Sequence, residues 1–374
     1  MDMANRITAG AVGARRRFLL AAAAGAAGVA IPQVSRAQTA VWRFQSAWPS
    51  RDIFHEFAVD YARKVEEMTG GRLKFDVLAA GSVVPAFQMQ DAVHAGILDG
   101  GHGVCDIWYR KHKAASLFGS PPSFGWDAHG MLAWFYSGGG EALYRELVND
   151  ILKLNLVGLL CFPMPAQPLG WFKKEIKSVA DFKGMSYRAE GLAADVFREL
   201  GASAISLPSG EIVPVMDRGQ LDGAGLNNPS SDIQLGLPDV AKFYMMGSHH
   251  RPAGAFEIVF NKAKHDALPA EIKSILRHSA FAASAAQLGM AYTRYPKDLD
   301  EIGKRGVSVV RTGDGVLHAQ LAAWDKVIGE HSREPFFAKV IASQRAWVRR
   351  LQPYLAANNL SSGELAAAYK HFFG

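Results

Sequence analysis

The feature that most restricts the fold is a helical pattern running from Pro269 to about Arg305. At 1.5 Å of rise per residue it spans roughly 50 Å, more than the width of one small domain. Such a helix must lie across two lobes or form a spine. Pro296 falls inside it and predicts a kink. The full chain has 374 residues, room for about two domains or one large one.

Ahead of that helix, strand and helix patterns alternate. Trp42, Phe44 and Ser46 alternate with polar residues, which predicts a strand. Residues 52–68 carry apolar positions at helical spacing, and Gly70-Gly71 stops them. Leu73–Leu78 and 99–105 read as strands, and the strongly apolar Leu156–Pro163 as a central strand. Met185–Arg188, Ala204–Leu207, Leu221–Ala224 and Ala255–Asn261 continue the series, with helices over Ala193–Leu200 and 211–218. Such alternation predicts an α/β fold with a largely parallel sheet covered on both faces. After a short strand at Val307–Val310, Leu317–Leu355 is helical again. Its apolar stripe (Phe336, Phe337, Val340, Ile341, Trp347, Leu351) either packs on its own domain or forms a dimer surface.

Arg15-Arg16-Arg17 precede 14 small or apolar residues, Phe18 to Ile31, and Ser35-Arg36-Ala37 supplies small residues at −3 and −1. Basic, apolar, then small is the order of a secretory signal. The paired arginines before Phe-Leu resemble a twin-arginine signal, with an ordinary secretory signal as the alternative. The mature chain is expected to start near Gln38 and to work in the periplasm. No apolar run reaches the length of about 20 residues that crosses a bilayer. The formal charge of +6 falls to +2 without residues 1–37, leaving 36 basic against 34 acidic residues. That balance gives no electrostatic case for nucleic acid.

Motifs that carry catalysis are missing from the sequence. It has no Gly-x-Ser-x-Gly elbow, no phosphate loop, no His-Glu-x-x-His and no Cys-x-x-Cys. Gly100-Gly101-His102-Gly103 lacks the third glycine of a dinucleotide fingerprint. His249-His250 would point to opposite faces of a strand, a poor metal site. Cys105 and Cys161 sit in apolar segments and read as buried thiols, with a disulfide as the alternative. Arg188 ends a strand just before a helix start. There it either pairs with an acid such as Glu190 or grips a ligand carboxylate, helped by the helix dipole.

Lys183-Gly184 with Arg188, Leu200-Gly201-Ala202, Leu207-Pro208-Ser209-Gly210-Glu211 and Arg218-Gly219-Gln220-Leu221-Asp222-Gly223 resemble the signature of the solute-binding subunits of tripartite ATP-independent periplasmic (TRAP) transporters. Ala80–Phe87 and Asp91-Ala92-Val93 fit the same family. Gln167 before Gly170-Trp171-Phe172, Tyr136–Gly140 and Lys262 point to its alpha-keto-acid and lactate binders. The resemblance covers essentially the whole mature chain. It implies a type II periplasmic-binding fold: two lobes with crossing strands, a spanning helix and the ligand between them. On that basis lobe I is expected over 38–165 plus 256–315, lobe II over 166–255, and a C-terminal helical extension over 316–374.

The resemblance also implies that Arg188 clamps a ligand carboxylate and that Gln167 lines the site. In metal-using relatives a Glu-Trp pair helps to bind a cation; here those positions are Gly225 and Leu226, so no metal or other cofactor is expected. Asn227 and Asn228 follow and are expected to hydrogen-bond the ligand. Phe87, Trp108 and Trp171, with Trp48, would form an aromatic wall, the alternative being that each is core. His249, His250 and Arg251 fall where relatives place cleft residues, and His250 is taken as the candidate. The expected function is non-enzymatic: capture of a 2-oxo, hydroxy or aromatic acid and its delivery to TRAP membrane subunits, with a homodimer formed through the C-terminal helix. A ligand sensor feeding a membrane receptor and an exported hydrolase or lyase are the alternatives.

Overall fold

The structure, a computed structural model, describes residues 39–374; the export signal expected over 1–37 lies outside them. Two sheets organise the chain. The first has the order β2-β1-β3-β10-β4, built from β1 (Ala40–Ser46), β2 (Leu73–Leu78), β3 (Gly100–Gly103), β4 (Leu156–Met164) and β10 (Gly254–Asn261). The second has the order β11-β9-β5-β8-β6-β7, from β5 (Gly170–Phe172), β6 (Ser186–Arg188), β7 (Ser203–Ile205), β8 (Gly223–Ala224), β9 (Phe243–Met246) and β11 (Ser308–Arg311). The expected parallel pairing holds for β1 with β2 and β3, for β6 with β7 and β8, and for β9 with β11. The strands that cross between lobes break it. β10 runs antiparallel to β3 and β4, and β5 antiparallel to β8 and β9.

Among the helices that flank the sheets are α1 (Ile53–Met68), α2 (Ala128–Ser137), α3 (Leu192–Glu199), α4 (Ser209–Asp217), α5 (Pro229–Leu235), α6 (Ala270–Lys304), α7 (Asp314–His331), α8 (Pro335–Asn358) and α9 (Ser362–Phe373). Helix α1 shows how pattern becomes packing. Asp52 caps its first turn by accepting from the Phe54 amide at 3.0 Å. Ile53, Phe54, Phe57, Ala58, Tyr61 and Val65 then fall on one face and are buried. Their rings meet Phe256 and Phe162 of the sheet, Phe54 standing edge-on to Phe256 at 4.7 Å.

Helix α6 is the spanning element that its 35-residue length requires. Its first half packs on β4 and α1 through buried Leu276, Ala280 and Ala283, and its second half reaches α5. Ile302 enters the small core of the second lobe beside Tyr244, Trp171 and Leu221.

Two expectations change, and one alternative is decided. The strand after α6 pairs with β9 in the second sheet, so the first lobe does not run on to residue 315: a helix that spans both lobes delivers its next strand to the far one. The apolar segment Leu156–Met164 lies at the end of its sheet, not at the centre. It is apolar because helices cover it, and side chains close its free edge. The Ser284 hydroxyl accepts from the Phe162 amide at 2.8 Å, and the Tyr136 hydroxyl bonds both backbone groups of Leu160 at 2.5 and 3.0 Å. The stripe on α8 is inward-facing: Phe336, Phe337, Val340 and Ile341 are buried in their own chain. The exposed apolar groups lie beyond it, at Tyr354, Leu365, Tyr369, Phe372 and Phe373. Both cysteines are free and buried.

Candidate functional site

Two segments cross between the lobes, Met164 to Gly170 and Met246 to Gly254, and they lie side by side. The Gln167 amide donates to the Arg251 carbonyl at 3.0 Å. A cavity of about 280 Å³ opens against them, near the lower end of the roughly 300–1,000 Å³ range of small-molecule sites. Phe54, Met164, Pro165, Pro168, Met246, Tyr295, Pro296 and Leu299 give it apolar walls, while Gln167, Asn227, Asn228 and Arg251 supply the polar groups. Two smaller voids continue the same cleft. One, of about 20 Å³, is lined by Trp48, Phe87, Ile107, Arg188, Glu190, Ser209, Asn227 and Arg251. The other, of about 10 Å³, is lined by Gln167, Arg188, Glu190, Gly225, His250 and Arg251.

Arg188 ends β6 and is nearly buried. Its Nε and Nη2 donate to the Leu207 carbonyl at 3.0 and 2.7 Å, and its Nη1 donates to the Gly225 carbonyl at 2.9 Å. Nη2 also pairs with Glu190 at 2.7 Å, each side chain only 8% exposed. Four of the five guanidinium N–H groups are therefore used inside the protein. The Glu190 partnership foreseen as the alternative is present, in a side chain that also faces the cleft. Burial pushes the Glu190 carboxyl up, and Arg188 and the Ser206 hydroxyl pull it back.

Gln167 and His250 form a unit. His250 Nε2 donates to Gln167 Oε1 at 3.0 Å, and Nδ1 accepts from the Ser248 hydroxyl at 2.5 Å. Ser248 in turn accepts from Gln320 Nε2 of α7 at 2.8 Å. Burial, with the Arg251 charge second, pushes His250 down to about 3, so the ring is neutral and fixed in one tautomer. His250 orients Gln167 and, as expected of a cleft residue, also lines the smallest void beside it.

Asn228 is spent on structure. Its Oδ1 accepts from the Ser231 amide at 2.9 Å as the cap of α5, and its Nδ2 donates to the Ser231 hydroxyl at 3.1 Å. Asn227 differs: its Nδ2 is buried with no partner, while its backbone is held by Asp232. Ser209 Oγ, at the start of α4, is likewise buried and unpartnered.

Phe87 and Trp48 line the cleft. Trp108 and Trp171 do not. Trp108 Nε1 donates to buried Glu257, and the ring lines a separate void with Cys105, Phe118 and Tyr144. Trp171 stacks on Tyr244 at 4.3 Å and donates to Asp232 at 2.8 Å in the second core. In both, burying the indole requires a partner for its N–H, and an interior carboxylate supplies it. Arg251 and Ser209 were not chosen from the sequence. An arginine just ahead of the strand pattern at Ala255–Asn261, followed by Pro252, was the available signal.

A model of the bacterial extracellular solute-binding protein family 7 (DctP) matches residues 44–335. A monocarboxylate 2-oxoacid-binding periplasmic protein of Nostoc is 31% identical over 87% of this chain and 89% of its own. A TRAP transporter solute-binding protein of Bordetella bronchiseptica, a mixed-occupancy dimer with copurified calcium and picolinate in one site, superposes with a TM-score of 0.83 at 26% identity, over 90% of this chain and 98% of that one. One from Colwellia psychrerythraea with bound calcium and pyruvate gives 0.80 at 26% identity, over 90% and 100%.

Proposed function

The chain belongs to the DctP family of extracellular solute-binding proteins of TRAP transporters, a family of binding proteins and not of enzymes, and from there we propose that its own solute is a small organic acid held in the cleft around Arg188 and Arg251. Its expected partners are the membrane subunits of such a transporter, reached after export by a cleaved signal of the twin-arginine type. Lobe II supplies Arg188 and Asn227, the crossing segments supply Gln167 and Arg251, and lobe I supplies Trp48 and Phe87. Contacts from both lobes exist only when the cleft is closed, so binding favours closure.

One observation carries the reading. Two guanidinium groups, a residue with an unpartnered buried amide and one with an unpartnered buried hydroxyl line the same void between the lobes. Buried polar groups in native proteins have partners, and an acid's oxygens fit those donors. The Nostoc relative, named for 2-oxoacids, and the picolinate and pyruvate of the two structures agree with this class. The test is a thermal-shift screen of the mature protein against carboxylic acids. A ligand that binds only the folded state raises the melting temperature. A set of shifts confined to small carboxylates supports the reading, and shifts confined to uncharged solutes sink it.

The exposed apolar face of the C-terminal tail supports a second copy of the chain as its partner. Leu365, Tyr369, Phe372 and Phe373 are each more than half exposed and share one side of α9. Light scattering of the mature protein tests this.

A further inference from the structure

Taking the organic-acid reading as given, we infer that the Arg251 guanidinium is the built-in cation of this cleft: it holds an oxygen of the acid beside the carboxylate, such as a 2-oxo or 2-hydroxy oxygen, and binding needs no metal ion. Arg251 lines all three adjoining cavities. Its Nη2 donates to Asp106 at 2.8 Å, and no other side-chain hydrogen bond of Arg251 is present among the described residues. Asp106 is 1% exposed and is fixed in turn by the Ser120 hydroxyl at 2.5 Å. The guanidinium is thus held by one corner, and the rest of its donors are open. Arg188 is the reverse case, with four N–H groups already used.

The donor chemistry of the cleft does not fit a metal ion. Beside the two arginines it offers Asn227 Nδ2, a donor, the neutral Ser209 hydroxyl and Gln167, whose Oε1 already accepts from His250, and the two carboxylates within reach are each taken by a guanidinium. Gly225 has no side chain, and its carbonyl accepts from Arg188. A Cβ added at Gly225 would lie 2.8 Å from the Tyr187 hydroxyl, so an acidic side chain has no ready space there. No group of three His, Cys, Asp or Glu side chains able to hold a metal occurs among the described residues. Calcium prefers six to eight oxygen ligands; here it would meet N–H groups and two fixed positive charges. The two neighbouring structures carry calcium with their acids; in this chain Arg251 would supply the positive charge instead.

The test is calorimetric titration of the mature protein with pyruvate and with picolinate. It is run first in EDTA with choline replacing sodium, then with calcium or sodium chloride. The expected dissociation constants agree within about twofold in all three. Binding that appears only with calcium or sodium overturns the inference and leaves the organic-acid reading standing. Arg251→Gln alone strands buried Asp106, so it is paired with Arg251→Gln/Asp106→Asn, which removes both charges. In the double variant pyruvate is expected to bind about thirtyfold more weakly. Propionate, which lacks the second oxygen, is expected to change little. Unchanged pyruvate affinity in a folded double variant overturns the inference. Failure of the wild type to bind either probe under every condition overturns the organic-acid reading and the inference with it.

Discussion

The two walls of the cleft are made of opposite materials. The second lobe contributes Arg188, Glu190, Ser209 and Asn227; the first contributes Ala47, Trp48, Ala86, Phe87, Val104 and Ile107. The polar wall sits at strand ends and helix starts: Arg188 closes β6, Ser209 opens α4, and Asn227 precedes the cap of α5. The apolar wall stands largely on short turns after β2 and β3. Electrostatic donors must be aimed within a few tenths of an ångström, whereas apolar contact tolerates adjustment. Affinity is therefore expected to reside in the rigid polar wall, and discrimination by ligand shape in the apolar one.

The largest expected effect tests the polar wall directly. Arg188→Ala should weaken carboxylate binding by about a hundredfold or more, read by calorimetry, because it removes a buried charge that faces the cleft. It also strands Glu190, so Arg188→Ala/Glu190→Gln is the folded control. Retained affinity in that control would end the division of labour between the walls. Asn227→Ala is expected to cost about tenfold, the loss of one hydrogen bond to a charged group. Phe87→Ala on the opposite wall should cost a small acid such as pyruvate about threefold or less. It should cost picolinate about tenfold, since only the larger ring fills the space. An equal loss for both ligands would show that the apolar wall does not read shape.

Two smaller effects concern residues behind the walls. His250→Ala should lower affinity by about fivefold through a disordered Gln167. Because His250 stays neutral down to about 3, wild-type affinity should show no step from this ring between about pH 5 and 8. Asp232, which holds the Asn227 and Asn228 amides, is pushed by burial from 3.8 up to about 7. A carboxyl raised on folding favours the protonated folded state. Its contribution to stability is full below the unfolded value and is lost as pH rises through about 7. Melting temperatures of Asp232→Asn and wild type should therefore diverge by a few degrees between about pH 4 and 7, the wild type falling further. Parallel curves would show that Asp232 does not couple stability to pH.

The frame was legible where local pattern and topology agree. The length of α6, read from periodicity alone, left a helix across two lobes or a spine, and the family resemblance pointed to the two lobes. Arg188 stood out as a cation at a strand end, Gln167 came only from the family resemblance, and both line the cleft. Trp108 and Trp171 were misplaced because an indole looks the same in sequence whether it meets a ligand or a buried carboxylate; only the positions of Glu257 and Asp232 distinguish the cases. Arg251 was passed over for its neighbour because its role comes from two crossing segments far apart in sequence meeting side by side. The edge position of β4 was hidden because the groups that close that edge, Tyr136 and Ser284, lie on helices distant in the chain.

Helix α6 runs unbroken through both lobes, and Pro296 sits where it passes the cavity. Proline has no N–H, so the Tyr292 carbonyl lacks its helical donor and the rod is locally softer in bending. In mechanical terms the molecule has a flexure in place of a pin joint. Two lobes tied by a continuous beam cannot drift apart or swing freely. Any closure of the proposed kind would bend that beam, and its soft point lies against the cavity.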